Sequence, residues 1–179
     1  MTERAPLPSA LQEIADDFAE LAVPQRLELL LEFSEGLPAL PQRYAESLDS
    51  MEQVHECQSP LFLVVEVGEA DAADTADTAD TADTAKTGSP EPDPAQSPDP
   101  SQRPVRLFFS APQEAPTTRG FAGILHEGLD GLTVQEVLAV PDDMPYRFSL
   151  GEAVSPLRLR GMVGMLSRIK RQTALKARV

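Results

Sequence analysis

The stretch His55-Glu56-Cys57-Gln58-Ser59-Pro60 holds the one cysteine of the 179-residue chain. A cysteine is nucleophilic as its thiolate, and its neighbours set how much thiolate exists. His55, two residues before it, is placed to approach the sulfur, where a protonated imidazole would favour the thiolate. Glu56 pulls the other way, because an adjacent carboxylate raises a thiol's pKa. The spacing therefore leaves activation undecided. One thiol excludes an internal disulfide and a cysteine-built zinc or iron–sulfur site within a single chain. The second histidine, His126, falls in a helical stretch and reads as a residue of an exposed turn rather than a catalytic base. The chain has no glycine-rich phosphate loop, no His-Glu-x-x-His motif and no Cys/His cluster.

Two readings of Cys57 stand side by side. A free cysteine often serves as a small core hydrophobe. Against that, its surroundings are polar and the apolar run begins only after Pro60, so the thiol lies in a loop entering a strand, where functional groups are commonly displayed. One nucleophilic sulfur without a catalytic apparatus suits thiol-to-thiol sulfur transfer, in which a partner holding an activated sulfur supplies the chemistry. The alternatives are a stand-alone thiol enzyme, peroxidase or hydrolase, and a plain interaction module in which Cys57 is only core.

The elements that must position this loop follow from periodicity. Ser9 with Gln12 has the form of a capping box, and Leu11, Ile14, Phe18 and Leu21 follow at helical spacing. Pro24 suits the first turn of a second helix with Leu27, Leu30 and Leu31 as its apolar stripe, ended by Gly36. The runs Pro60 to Val67 and Val105 to Ala111 are β-branched and aromatic, and are expected to pair antiparallel. Three helices come next. The first carries Phe121, Ile124 and Leu125 inward. The second opens on a Thr133–Glu136 capping box. The third starts at Ser155-Pro156 and runs through Met162, Met165, Leu166 and Ile169 to a basic end that suits the helix dipole. The sum is an α+β domain, a small antiparallel sheet covered on one face by N- and C-terminal helices.

Between the two strands, Ala-Asp-Thr repeats and a proline-rich tract hold no large apolar residue, which predicts a disordered insert over 68–104 in an overgrown hairpin loop. The chain then divides into 1–67, the insert 68–104, and 105–179, the first and last making one domain. The net charge is −14, and Gly68 to Gln102 holds nine acidic residues against Lys86 alone. Arg158 to Val179 carries seven Lys/Arg and no acid, and reads as a solvated helix end. The acidic balance argues against nucleic acid as a partner. No run approaches the ~18 apolar residues of a membrane span. The opening MTERAPLPSALQEI lacks a secretory pattern, so a cytoplasmic protein with a reduced thiol is expected.

With these features in hand the chain resembles the SufE family. Cys57-Gln58-Ser59 before a hydrophobic strand is similar to that family's acceptor-cysteine motif. Arg119-Gly120 resembles its basic-Gly helix start, and Ser155-Pro156-x-Arg158-x-x-Gly161 its Ser/Thr-Pro-x-Arg-x-x-Gly helix start. The spaced Leu-Pro-Ala-Leu-Pro-Gln-Arg-Tyr region before the cysteine is a weaker fourth feature. The resemblance covers the chain apart from the acidic insert. It implies a SufE/IscU-like fold and a non-enzymatic accessory role in iron–sulfur cluster assembly, with no cofactor of the chain's own. Cys57 would accept sulfane sulfur as a persulfide from a pyridoxal-phosphate-dependent cysteine desulfurase (SufS-like), stimulate that enzyme, and deliver the sulfur to Fe–S scaffold proteins. It also implies that the resting thiol is tucked into an apolar cavity by the Val54 and Leu61 side. Arg158, Gln58, Ser59, His55, Arg119 and Glu114 would face the partner. The family commonly has glycine before the cysteine where this chain has Glu56, which bears on loop freedom and thiol acidity. A cluster scaffold binds through several thiolates, and this chain has one.

Overall fold

Leu63, Val65 and Val67 share one face of their strand, as Val105, Leu107 and Phe109 share one face of theirs, and these two runs pair with each other. In the computed structural model, which describes residues 5–68 and 99–178, β2 (Phe62–Val67) and β3 (Val105–Ser110) form an antiparallel ladder from Phe62↔Ser110 to Val67↔Val105. A two-residue strand, β1 (Glu52–Gln53), adds to the other side of β2, so the sheet order is β1-β2-β3. This third strand has no sequence signal, because Glu52 and Gln53 are polar and two residues show no period.

One face of the sheet carries Leu63, Val65, Val105, Leu107 and Phe109, all buried. Two helices pack on it: α4 (Pro116–Leu129) against β3 and α6 (Pro156–Ala177) against β2. The N-terminal helices α1 (Ser9–Glu20) and α2 (Val23–Gly36) lie against α4. The other face is partly covered by the short helix α3 (Gln42–Ala45), whose Tyr44 ring lies 5.3 Å from Phe108. The short α5 (Val134–Ala139) starts with the expected box, Thr133 N–H donating to Glu136 Oε2 and Glu136 N–H to Thr133 Oγ1.

Two local expectations fail for identifiable reasons. Ser9 does not cap α1. Pro8 takes the N-cap position, so Ser9 is already helical and Gln12 instead donates to Asp16 at 2.8 Å. In α2 the stripe is wrong, since Leu30 is 2% exposed but Leu27 and Leu31 are 44% and 46% exposed. The cause lies on α4. A Cβ at Gly120 would sit 2.4 Å from the Leu30 carbonyl oxygen, and one at Gly123 2.2 Å from that of Phe33. The two helices therefore meet backbone to backbone along the Leu30–Phe33 edge, leaving Leu27 and Leu31 outside.

Residues 69–98 of the acidic insert lie outside the described residues. The ladder itself continues past the strands, with Gly68 N–H donating to the Pro104 carbonyl at 2.8 Å, so the insert is the connection of the β2–β3 hairpin. Its final part, 99–104, is within the described residues. Pro100–Gln102 form a single 3-10 turn capped by Asp99, and Pro104 bridges to Thr133. The basic end of α6 is also more than a solvated terminus. Lys170 Nζ donates to the Val140 carbonyl and pairs with Asp142, Arg171 pairs with Glu52, and Lys176 donates to the Val65 carbonyl.

Candidate functional site: the Cys57 loop

After β1 the chain turns and returns as β2, and Val54 N–H donating to the Leu61 carbonyl at 2.8 Å closes the loop between them. Val54 and Leu61 are both buried and anchor the loop's two feet in the core. Cys57 lies at the tip, where its N–H donates to the Val54 carbonyl at 3.2 Å in a tight turn. The sequence reading of a loop entering a strand is thus a hairpin tip. The thiol is half-buried against α6, because Gly161 leaves room for it: a Cβ there would sit 3.0 Å from Cys57 Sγ.

Burial pushes the Cys57 thiol up to about 11, with the Glu56 carboxylate adding to the rise and the Arg168 guanidinium opposing it. At neutral pH the resting sulfur is therefore a protonated thiol and a poor nucleophile. His55 does not alter this. Its side chain is exposed, and it is not among the groups acting on the sulfur.

The sulfur opens onto a cavity of about 190 Å³. Cys57, Gln58 and Ser59 form one wall, Glu114 to Thr118 at the start of α4 another, with Phe121 behind and Arg158 from the first turn of α6 at the mouth. Residues 114–118 line the cavity, so the positive dipole end of α4, which no side chain among the described residues caps, faces the same space. Arg158 is exposed and reaches Thr117 Oγ1 at 3.4 Å, with no carboxylate partner among the described residues. Of the residues singled out from sequence, Cys57, Gln58, Ser59, Glu114 and Arg158 converge here. Arg119 is aimed elsewhere, donating to the backbone carbonyls of Ala111 at 2.9 Å and Ser34 at 3.2 Å, which ties α4 to the end of β3 and to α2. His126 sits in the last turn of α4, 3.9 Å from Asp130, away from the cavity.

Sequence reasoning missed the contacts that seat the loop on α6. Glu56 pairs with Arg168 of α6 at 2.8 Å, and Arg168 Nη1 also donates to the Gly164 carbonyl at 3.1 Å. Its Nε lies 3.2 Å from Glu52 Oε1 but is not aligned to donate to it. The hydrogen bond from Arg168 lowers the Glu56 carboxyl from its ordinary value. The signal that could have found this seat is Gly161-x-x-Gly164, two small residues on one helix face, which marks close approach of another segment.

The family model described as "Fe-S metabolism associated domain" (SufE) matches residues 12–85 and 98–173. The chain belongs to the SufE family. An uncharacterized SufE-like protein of Mycobacterium tuberculosis, present in the CDC 1551 / Oshkosh and H37Rv strains, is 46% identical over 172 residues, covering 96% of each chain. A solution structure of a hypothetical protein from Thermus thermophilus superposes with a TM-score of 0.67 at 30% identity, covering 97% of this chain and all of that one. Membership associates the SufE chain with Fe–S metabolism and agrees with its small antiparallel sheet and flanking helices. Among the described residues, no helix is long and apolar enough to cross a membrane, and no group of three or more His, Cys, Asp or Glu could hold a metal ion.

Proposed function

We propose that the protein is a sulfur carrier whose Cys57 takes sulfane sulfur from a pyridoxal-phosphate-dependent cysteine desulfurase and hands it to a scaffold on which Fe–S clusters are built. The observation that carries the reading is the position of the chain's single thiol. It lies at a hairpin tip and opens onto a cavity with Arg158 at its mouth, an arginine without a carboxylate partner among the described residues. In the transfer, the Cys57 thiolate attacks the terminal sulfur of the partner's cysteine persulfide. The partner's S–S bond breaks, its cysteine leaves as a thiolate that takes up a proton, and a new S–S bond forms on Cys57 with no net change in oxidation state.

Each residue at the cavity has a part in this reading. The positive end of α4 and the Arg158 guanidinium favour the anionic sulfur that forms on acceptance. Gln58, Ser59 and Glu114 make the polar rim a partner meets. A protonated, half-buried thiol has to leave its place on α6 before it reacts, so docking and activation are one event. Removal of the partner's sulfur frees that enzyme for another turnover, which is how the carrier stimulates it. A self-sufficient thiol enzyme needs a base beside the sulfur, and among the described residues neither histidine provides one.

The test is intact mass under non-reducing conditions after incubation with a SufS-like desulfurase and L-cysteine. The wild type gains one sulfur atom that reductant removes, and Cys57→Ser gains none. A wild type that gains nothing while bound to an active desulfurase would refute the carrier role.

A further inference from the structure

We propose that Glu56 and Arg168 form a latch that holds the Cys57 loop closed on α6 and so sets how often the thiol is presented, making both of them positioning residues for Cys57. What the latch serves rests on the carrier reading above, whereas the latch itself rests on geometry alone.

Between the loop's feet at Val54 and Leu61, Glu56 is the one side chain among the described residues with an ion pair to another element. Helix α6 is cut to receive it. A Cβ at Gly164 would lie 2.9 Å from Glu56 Cδ and 3.0 Å from Oε2, so an alanine there would fill the space the carboxylate occupies. One turn back, Gly161 makes the same allowance for the Cys57 sulfur. The two notches therefore accept adjacent loop residues together, and the loop docks on α6 as a unit.

The two halves of the latch differ in mobility. The Arg168 side chain is 15% exposed and is held from behind by the Gly164 carbonyl and by Glu52, which Arg171 and Gln172 also bind. The Glu56 side chain is 44% exposed and sits on a loop of few internal bonds. The arginine is thus the fixed keeper and the carboxylate the part that releases. Ionic strength weakens a pair of this exposure, so release responds to salt or to a partner's cation reaching Glu56.

The latch also makes a prediction of unusual sign. The charged groups that face the sulfur are Glu56 and Arg168 from the loop and α6, with Glu114 and Arg158 across the cavity. By charge alone, Arg168 favours the thiolate, and its removal would slow reaction of Cys57. As the keeper of a latch, its removal frees the loop and speeds that reaction.

The experiment is the rate of Cys57 alkylation by iodoacetamide in wild type, Arg168→Gln and Glu56→Gln, over a range of sodium chloride concentrations, with circular dichroism as the check on folding. It uses no desulfurase, so its outcome is independent of whether the protein carries sulfur. Arg168→Gln should react about three- to fivefold faster than wild type at low salt, the population shift that an exposed pair of ordinary strength allows. Wild type should rise toward that rate with salt while the variant stays flat. Arg168→Gln reacting at the wild-type rate or more slowly would overturn the latch. If Arg168→Gln does not fold, Glu56→Gln decides by its salt response, since loss of the carboxylate speeds alkylation by charge alone: a rate that stays flat with salt supports the latch, and a salt curve parallel to wild type overturns it.

Discussion

Raising the pH through the range in which Cys57 ionises isolates what it takes to hold a thiolate in this loop. Unfolded, the thiol has its ordinary value of 9.0; folded, burial beside Glu56 lifts it to about 11. A difference of about two units corresponds to at most a few kcal/mol between the two protonation states, reduced by the solvent that reaches this half-buried sulfur. Below 9.0 the thiol is protonated in both states, and its full contribution to stability is present. Between 9.0 and about 11 the unfolded chain loses its proton first, so stability falls by up to about 1.4 kcal/mol per pH unit. Above about 11 both states are ionised and the loss ends. Opening of the loop gives the thiolate a route to water short of unfolding, so the loss is capped at the free energy of that opening.

The assay compares denaturant unfolding of wild type and Cys57→Ala across this interval, because the subtraction removes every other group that titrates there. The ultraviolet absorbance of the thiolate, followed in the native protein, gives the midpoint directly. The wild type should lose stability relative to Cys57→Ala as the pH rises, with its native thiolate midpoint near 11. Stability curves that stay parallel, together with a native midpoint at 9.0, would refute the claim that burial against α6 governs this sulfur.

Gly123→Ala places a methyl group 2.2 Å from the Phe33 carbonyl oxygen, a backbone atom that cannot swing aside. It should destabilise the fold by about 1–3 kcal/mol despite alanine's better helix propensity, measured by urea unfolding. Arg158→Ala should change stability by less than about 0.5 kcal/mol, since the side chain is exposed with no carboxylate partner among the described residues. It should nevertheless lower the rate of sulfur uptake from a desulfurase, read by the same mass assay.

Much of the scaffold is legible in local pattern. The β2 and β3 runs announce themselves through branched and aromatic residues, and the core face of α6 through Met162, Met165, Leu166 and Ile169, all buried as spaced. Thr133 and Glu136 form their box because nothing upstream competes, whereas Pro8 displaces Ser9 from the same role. Leu27 and Leu31 mislead because the choice of face on α2 is made by glycines some ninety residues later, Gly120 and Gly123. The site divides in the same way. Cys57, Gln58 and Ser59 are contiguous and readable as a unit, Arg158 is readable through its place in the Ser155-Pro156-x-Arg158 motif, and Glu114 only through the family resemblance. The Glu56–Arg168 pair and the notches at Gly161 and Gly164 join segments more than a hundred residues apart, and no local propensity encodes which carboxylate an arginine will meet.

The ladder closes at Gly68 and Pro104, after the Val67↔Val105 pair. Paired residues of antiparallel strands stand about 5 Å apart, so the two ends of the insert are fixed side by side whatever lies between them. The Cys57 loop joins the opposite end of β2, and six strand residues separate the two by roughly 20 Å. The hairpin end is therefore a natural port for engineering: a fluorophore-bearing peptide, an affinity handle or a whole reporter domain could be spliced there, with its anchor points set by the sheet and its payload carried clear of the sulfur.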